Sequence, residues 1–352
     1  MSKPELELSL PYITEGIPGI GGVIKQKPSH FIVEEIPLYE PDGSGQHLYV
    51  NITKTNKTTR EIQENLADLF ELASHHIGKA GLKDKNAITT QTFSILLPNE
   101  NRSIPELVKL IEETIGVRVN WANYHRNKLR TGHLLGNNFK IIIVNLEHDF
   151  NYINEIADKI TKRIHSIGLP NFYGEQRTGE EGENVISGWE ILTGKKWISN
   201  KWLRRYLISC YQSYLCNRYL ALRVKRGLFN RLLIGDVVKK HDTGGIFSVD
   251  DLENAQKRFD AKEISFTAPI YGYKMRSALY ASRKIEDEVL DKSAISMENL
   301  RKHRVTGTRR LGRIIPNITF SNAEEGLELK FKLPKGSFAT VLLREYIKNG
   351  EN

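Results

Sequence analysis

The chain has 352 residues, of which 39% are hydrophobic and 26% are charged, and it contains two cysteines. This composition is typical of a soluble protein with a substantial core, and the length allows two domains or one large domain with an insertion. Lysine and arginine outnumber aspartate and glutamate by 51 to 42, which suits a polyanionic partner such as nucleic acid. No apolar run approaches the roughly 18 residues of a membrane span, and the N-terminus lacks the pattern of a secretory signal. We therefore expect a cytoplasmic protein.

Strand and helix patterns alternate from about Gly19 onward. The runs HFIVEEI and QHLYVNITK predict two strands, because both are rich in β-branched and aromatic residues. A capping-box pattern at Thr58 and Glu61 then opens an amphipathic helix, and ITTQTFSILL predicts another strand. After a further helix and two strands, Asn151 is the predicted cap of a helix that Gly168 closes.

The pattern changes near residue 170, where long basic and aromatic helical segments begin. Strand-like patterning returns after GRIIPNITF and continues through LELKFKLP. Alternating elements, a mostly helical insert and a return to strands predict an α+β protein interrupted by a second domain. Cys210 and Cys216 are six residues apart, match no common metal motif and argue against a disulfide framework. Cys210 falls on an apolar helical stripe and is predicted to lie in the core.

One loop carries an isolated acid. In HHIGKAGLKDKNAITTQ, Asp84 stands between Lys83 and Lys85, after a predicted helix and before a predicted strand. Catalytic side chains often lie on loops that rigid elements position. The pattern fits a solvated turn, and it also fits a carboxylate that neighbouring cations hold ionised.

Two basic segments are candidate RNA contacts. In HRNKLRTGHLLGNNF, Arg126, Lys128 and Arg130 are predicted to contact phosphates, and Asn137 and Phe139 to contact a base. Exposed bases stack on aromatic side chains, so an aromatic residue after a basic loop favours RNA recognition. A solvated loop is the alternative.

The second basic segment is RKHRVTGTRRLGR, residues 301–313, which has six lysines and arginines and no acid. Blocks of like charge are often only solvated. Because this block adds to a general basic surplus, a nucleic-acid contact is favoured. Its candidate phosphate ligands are Arg309, Arg310 and Arg313.

Several stretches together resemble the TruD family of tRNA pseudouridine synthases. They are, in chain order, FIVEEIP, AGLKDKNAITTQ, GNNF, NFYGEQRTG, SYLCNRYL, GYKM and LPKGSFATVLLRE. Each motif is weak alone, but the ordered set is specific, and it extends from about Gly19 to Glu345. The chain departs from the family pattern at His30, where an aspartate is common, and at Thr178, where an aromatic residue is usual.

The resemblance implies a pseudouridine synthase catalytic domain with a mixed, largely antiparallel sheet, formed by residues 1–169 and 318–352. Residues 170–317 would form the TruD-type insertion domain. The implied reaction converts uridine to pseudouridine in tRNA, at nucleotide 13, without a cofactor or a metal. tRNA is therefore the expected partner, no membrane partner is expected, and a monomer is the default state.

The resemblance also implies roles for individual residues. Asp84 matches the family's catalytic aspartate and would act as a nucleophile or as a base on the ribose. Lys25 matches the basic active-site position and would keep that carboxylate ionised. Phe139 would stack on the target base and Asn137 would make a polar contact near it. Phe338 would close the other side, although a role as a core aromatic fits it equally well.

The flanking lysines Lys83 and Lys85 are candidate phosphate ligands. Two other classes of protein remain open from the residues alone. An RNA-binding module without catalysis would explain the basic loops but would leave Asp84 without a purpose. A metal-dependent nuclease would need clustered carboxylates, and the densest acidic run, EDEVLDK, reads as a solvated helix face. Such a nuclease would lose its activity in EDTA, whereas the isomerase would not.

Overall fold

A computed structural model of the protein describes residues 5–348. In chain order, the strands are β1 (Phe31–Pro37), β2 (His47–Thr55), β3 (Ile77–Lys79), β4 (Ile88–Leu96), β5 (Arg118–His125), β6 (Leu134–Val144), β7 (Leu169–Pro170), β8 (Val237–Lys240), β9 (Ile246–Ser248), β10 (Ile264–Ile270), β11 (Thr308–Leu311), β12 (Arg313–Ile314), β13 (Ile318–Ala323) and β14 (Gly326–Pro334). The helices are α1 (Thr59–Leu69), α2 (Ile104–Ile115), α3 (Phe150–Ile167), α4 (Glu183–Leu192), α5 (Lys201–Lys225), α6 (Leu252–Asp260), α7 (Tyr280–Lys292), α8 (Met297–Lys302) and α9 (Ala339–Ile347). No helix of the described chain is long and apolar enough to cross a membrane.

Backbone contacts divide the described chain into two compact units. The sheet unit consists of Ile20–Ala157 and Asn317–Gly336. The helical unit consists of residues 5–19, Asp158–Pro316 and Ser337–Lys348. One division falls inside α3, and the described chain passes between the two units four times.

The sheet unit is built on one mixed sheet with the strand order β13-β14-β6-β1-β4-β2-β5. The pair β1–β4 is parallel, and the other paired strands along this order are antiparallel. The short strand β3 pairs with β4 beyond the part of β4 that β1 covers. The predicted α+β class with a mixed, largely antiparallel sheet is therefore confirmed.

The core of the sheet unit follows the two-residue period of β2. Leu48, Val50 and Ile52 point to one face of the sheet, where they are fully buried together with Ile62 and Leu66 of α1. Burial of each of these side chains contributes about 1.5–3 kcal/mol to folding. The predicted capping box at the start of α1 is present. The same alternation places the side chain of Lys54 toward the interior.

The helical unit contains α5, which is its longest described helix, and a four-stranded sheet with the order β11-β10-β8-β9. Cys210 and Cys216 are both buried in α5, as predicted for Cys210. Arg223 of α5 donates to Asp236 over 2.7 Å, and both side chains are almost completely buried. Removing one partner from such a pair leaves an uncompensated charge, which typically costs about 3–5 kcal/mol.

Two local predictions were wrong. The helix before Asp84 ends at Leu69, and β3 follows it, so Asp84 lies on a strand-to-strand loop. Pattern reasoning missed β3 because it has three residues, one of which is Gly78. That glycine is needed there, since a Cβ would lie 2.3 Å from the Leu129 carbonyl oxygen. At α3, Asp149 rather than Asn151 caps the helix, because its carboxylate accepts from the first turn.

Candidate active site

The loop between β3 and β4, residues 80–87, carries Asp84 and is held by several surrounding elements. The Lys83 backbone N–H donates to Thr59 Oγ1 over 2.9 Å, which connects the loop to the start of α1. The Gln91 side chain donates to the Gly81 carbonyl over 3.3 Å, and the Gly132 N–H donates to the Ala80 carbonyl over 2.7 Å. The backbone that bears the acid is therefore fixed before any substrate arrives.

Lys83 anchors this loop from within. Its ammonium lies 2.6 Å from a carboxylate oxygen of Glu35 on β1, and the two side chains are 5% and 2% exposed. Glu35 also accepts from the Thr92 N–H over 3.3 Å. A phosphate contact of Lys83 would have to compete with this buried pair. Lys85, the other flanking lysine, is exposed.

The side chain of Asp84, unlike that buried pair, is 41% exposed. Its nearest cation is Lys25, whose Nζ lies 3.3 Å from Asp84 Oδ2. The ammonium of Lys25 also lies 4.2 Å from the centre of the Phe31 ring, within cation–π range. Lys25 has a φ of +62°, a left-handed conformation that is uncommon for residues other than glycine and is found more often at functional sites.

A second lysine, Lys54, supports the same loop through its backbone. Its Nζ donates to the carbonyl of Asp84 over 3.1 Å and to the carbonyl of Lys57 over 2.5 Å. The residue is 1% exposed. Burial lowers the pKa of Lys54 to about 8, the charge of Asp84 opposes this shift, and Lys83 adds to it. The two hydrogen bonds of this buried ammonium hold the backbone at Asp84 in position.

Phe139 and Asn137 lie on β6, on the same side of the sheet as Phe31. The Phe139 ring stacks on Phe331 with the centroids 5.1 Å apart, and it meets Phe31 edge-on at 6.4 Å. With 9% of its surface exposed, Phe139 is at the edge of the core. Asn137 has a buried side-chain oxygen that no donor within residues 5–348 reaches. Because buried polar atoms are rarely left unsatisfied, this oxygen is a ready acceptor for a ligand N–H or O–H.

The close approach of β14 explains the glycine of the GNNF segment. A Cβ on Gly136 would lie 2.2 Å from the Leu333 carbonyl oxygen, so a side chain at this position would separate β6 from β14. That pairing also places Phe331 opposite Phe139. Gly136 therefore maintains the sheet geometry on which the predicted stacking residue depends.

Phe338 belongs to the helical unit, where it precedes the first residue of α9. It is half-buried, and its ring centre lies 5.8 Å from that of Tyr173. The Arg310 guanidinium lies 4.0 Å from the Tyr173 ring and 6.0 Å from the Phe338 ring. Within its own unit, Phe338 is thus part of an aromatic and basic cluster.

The predicted phosphate ligands of the first basic loop are on the surface of the sheet unit. Arg126 is exposed and lies 3.3 Å from a carboxylate oxygen of Asp42, while Lys128 donates to the His75 carbonyl. Arg130 is exposed. Lys128 and Arg130 line an open cavity of about 470 Å³ together with Tyr39, Glu40, His125, Asn127 and His133.

The sequence of the second basic segment predicts exposed cations, but two of its arginines are buried in the structure. Arg309 is paired with Glu286, and both side chains are buried. Arg313 is 3% exposed, donates to two carbonyls and one hydroxyl, and has its pKa lowered by burial. Arg310 is half-buried and donates to Asn171 over 2.6 Å. The run TRRL forms β11 beside β10, and the guanidinium groups satisfy polar atoms of the folded unit.

Sequence reasoning missed Lys54 and Glu35. A signal for both was present, because each continues an alternating inward pattern, Leu48-Val50-Ile52-Lys54 in β2 and Phe31-Val33-Glu35 in β1. A charged residue at an inward position of a strand is costly unless it has a partner. In the described part of the chain, no group of three or more histidine, cysteine, aspartate or glutamate side chains is placed to hold a metal ion.

Comparison with known proteins places this geometry in a family. The model of the family described as tRNA pseudouridine synthase D (TruD) matches residues 7–197 and 198–346. The chain belongs to the TruD family. The match includes the two segments that hold Lys25, Asp84, Asn137, Phe139 and Phe338.

Individual relatives agree with the family match over nearly the full length. The tRNA pseudouridine synthase D of a Thermus thermophilus strain is 43% identical over 339 residues, which cover 96% of this chain and 92% of the relative. That of Anaeromyxobacter dehalogenans strain 2CP-1 is 36% identical and covers 96% of both chains. A crystal structure from Methanosarcina mazei, described as a putative TruD protein, superposes with a TM-score of 0.77 at 26% identity and covers 97% of this chain and 96% of its own.

Proposed function

We propose that this protein converts uridine to pseudouridine in tRNA, at nucleotide 13, with Asp84 as the essential group. The observation that carries the proposal is the placement of the Asp84 carboxylate. It lies 3.3 Å from the Lys25 ammonium on a loop whose backbone is anchored by buried side chains, in a chain of the TruD family. A location in the cytoplasm belongs to the same proposal.

The reaction is an isomerisation, so its atoms balance without a co-reactant. The bond between uracil N1 and ribose C1′ breaks, the base turns, and a bond forms between C5 and C1′. The proton that C5 loses is balanced by the proton that N1 gains. An ionised carboxylate can start this sequence by attacking C1′ or by taking a proton from the ribose. Lys25 would maintain the negative charge of Asp84 in either case.

The target base has to leave its stack to reach Asp84, which costs a few kcal/mol and is offset by contacts in the pocket. Asn137 supports this step, because its unsatisfied side-chain oxygen can accept from a polar group of the flipped nucleotide. Phe139 would supply a stacking surface, although its ring already contacts Phe331 and Phe31. We propose Phe338 as an aromatic contact on the substrate and Lys85, Arg126, Lys128 and Arg130 as phosphate contacts. The interior positions of Lys83, Arg309 and Arg313 favour structural roles for these three residues.

Mapping of pseudouridines at nucleotide resolution tests the position. A tRNA transcript would be incubated with the protein in the presence of EDTA, beside a matched transcript with cytidine at nucleotide 13. The proposal expects one new pseudouridine at nucleotide 13 of the first transcript and none in the second. Modification only at other uridines would contradict the position but not the reaction. Cleavage of the RNA that EDTA abolishes would favour a metal-dependent nuclease instead.

A further inference from the structure

A group of basic side chains surrounds the start of α5 in the helical unit. They line an open cavity of about 800 Å³ together with the aromatic side chain of Trp197. We call this group the α5 basic surface. Its basic members are Lys201, Arg204, Arg205, Lys302, His303 and Arg304.

The cations of this surface have no acidic partner among the described residues. Within residues 5–348, no carboxylate lies within 4.0 Å of the charged groups of Lys201, Arg204, Arg205, Lys302 or Arg304. Burial lowers the pKa of His303, and the charges of Lys302 and Arg204 lower it further. The side chains therefore repel one another, and no acidic residue is among the described residues that line the cavity.

Their position on the helix adds to this repulsion. The N-terminal end of a helix carries partial positive charge, so acidic side chains are favoured in its first turn and basic ones are disfavoured. The first turn of α5 contains no acid, and Lys201, Arg204 and Arg205 lie within its first five residues. The Asn200 side chain already accepts from the Trp202 and Leu203 N–H groups, so it is the three cations that attract an anion to this end of α5.

The same surface exposes a large aromatic side chain. Trp197 is 77% exposed, and the guanidinium of Arg204 lies 4.9 Å from its ring. Nearby on α5, Trp202 is 71% exposed and stacks on Tyr206 at 5.6 Å. Exposed aromatic rings among unpaired cations are the combination with which proteins hold unpaired nucleotides.

We infer that the α5 basic surface binds the phosphate backbone of the tRNA and that Trp197 stacks on one of its unpaired bases. This inference rests on the proposed function for the identity of the RNA. It assigns the RNA contact of the second basic segment to side chains that remain exposed, in place of the buried arginines of that segment. Lys302 and Arg304 belong to that segment, whereas the α5 residues and Trp197 lie outside both predicted RNA contacts.

The test is a triple variant of the full chain, Arg204→Gln/Arg205→Gln/Arg304→Gln, with tRNA binding measured over a range of salt concentrations. Each lost phosphate contact should reduce the slope of log affinity against log salt by about 0.7–0.9. We expect a slope reduced by about 2, affinity lowered at least tenfold at 0.1 M salt, and a single-turnover rate at saturating tRNA within about threefold of wild type. Because cations at a helix N-terminus are unfavourable, the variant should melt at the same temperature as wild type or higher.

A matched control removes the same charge elsewhere in the helical unit. In Lys257→Gln/Arg258→Gln/Lys292→Gln, each lost cation has a carboxylate partner in the wild type. This control should change affinity and salt slope much less. A separate variant, Trp197→Leu, should lower affinity about tenfold without changing the salt slope, because stacking releases no counterions.

Two results of the tRNA-binding measurement would overturn the inference: unchanged affinity and slope in the folded triple variant, or an equal loss in the control. Loss of binding to anionic phosphatidylglycerol vesicles with tRNA binding intact would also overturn it and assign the surface to a membrane. Failure of the proposed function looks different. In that case wild type forms no pseudouridine, while the triple variant still loses RNA affinity and salt slope, and the surface stands as an RNA-binding site.

Discussion

The most informative structural prediction concerns Lys54, whose hydrogen bond to the proposed catalytic aspartate is to its backbone carbonyl. Lys54→Met keeps much of the stem and removes the donor that holds the carbonyls of Asp84 and Lys57. A hydrogen bond from a charged donor contributes about 1.5–3 kcal/mol, so two contribute about 3–6 kcal/mol. Against this, a pKa lowered from 10.5 to about 8 corresponds to about 3 kcal/mol that disfavours the buried charge. The net loss in free energy of unfolding is therefore up to about 3 kcal/mol.

The effect on catalysis should exceed what this modest instability explains. Without its anchor the Asp84 carboxylate can shift by a fraction of an ångström, and a misplacement of 1 Å can lower a rate about 100-fold. We expect single-turnover pseudouridine formation to fall about 10- to 100-fold in Lys54→Met at a temperature where it is folded, with tRNA affinity nearly unchanged. Lys57→Met is the matched control, because it removes a cation from the connection between β2 and α1 but leaves the carbonyl contacts of Lys54 in place.

A pH series separates this positioning role from general packing. Burial is the largest influence on Lys54, Asp84 and Glu61 raise its pKa, and Lys83 lowers it. The pKa of Lys54 is lower in the folded chain, so the unfolded chain binds the proton more tightly. The free energy of unfolding should therefore rise with pH between about pH 8 and pH 10.5. Lys54→Met should lack this contribution. A wild-type rate together with a wild-type pH profile of stability in the folded variant would show that Lys54 does not position Asp84.

Three further predictions test other parts of the account. Lys25→Met removes the cation 3.3 Å from Asp84, so activity at neutral pH should fall at least tenfold; a pH–rate profile that overlays the wild type would exclude Lys25 as the partner. Phe139→Leu should lose about 0.5–1.5 kcal/mol of stability, because the aromatic contacts of Phe139 are lost. If the ring also stacks on the target base, the single-turnover rate should fall by more than this loss of stability explains. A large loss in melting temperature with a normal single-turnover rate would instead assign Phe139 to the core alone. Arg309→Ala should destabilise the protein by about 3–5 kcal/mol, because it leaves the buried Glu286 without its partner. A denaturation curve that matches the wild type would show that Arg309 and Glu286 do not form a buried pair.

The sequence predicted the fold well where patterns were long. The strands around HFIVEEI and QHLYVNITK, the capping box at Thr58 and the buried Cys210 follow from periodicity and composition. The short strand β3 did not, because three residues with a glycine carry no periodic signal. The α+β class followed from the alternation of strand and helix patterns, and the family followed from the ordered set of motifs rather than from any single one.

Charge patterns were less informative than strand patterns, because charge along the sequence does not specify which side of an element a residue occupies. Lys83 and Lys85 look alike in the sequence, yet one is a buried anchor and the other is exposed. Arg309 and Arg304 belong to one basic run, but β11 turns the first inward while the second stays at the surface. Lys83 and Arg309 are buried because each pairs with a carboxylate that is distant in sequence, Glu35 and Glu286 respectively. Such pairing depends on the tertiary structure.

Whether Asp84 drives an isomerisation of uridine in tRNA can be measured directly. Transcripts labelled with tritium at C5 of uridine release the label to water when the new bond forms at C5. Wild type should release tritium in proportion to the pseudouridine formed, with and without EDTA. Asp84→Asn, which keeps the shape and removes the charge, should bind the same tRNA with similar affinity and release none above background. Release by Asp84→Asn within tenfold of the wild-type rate would contradict the claim.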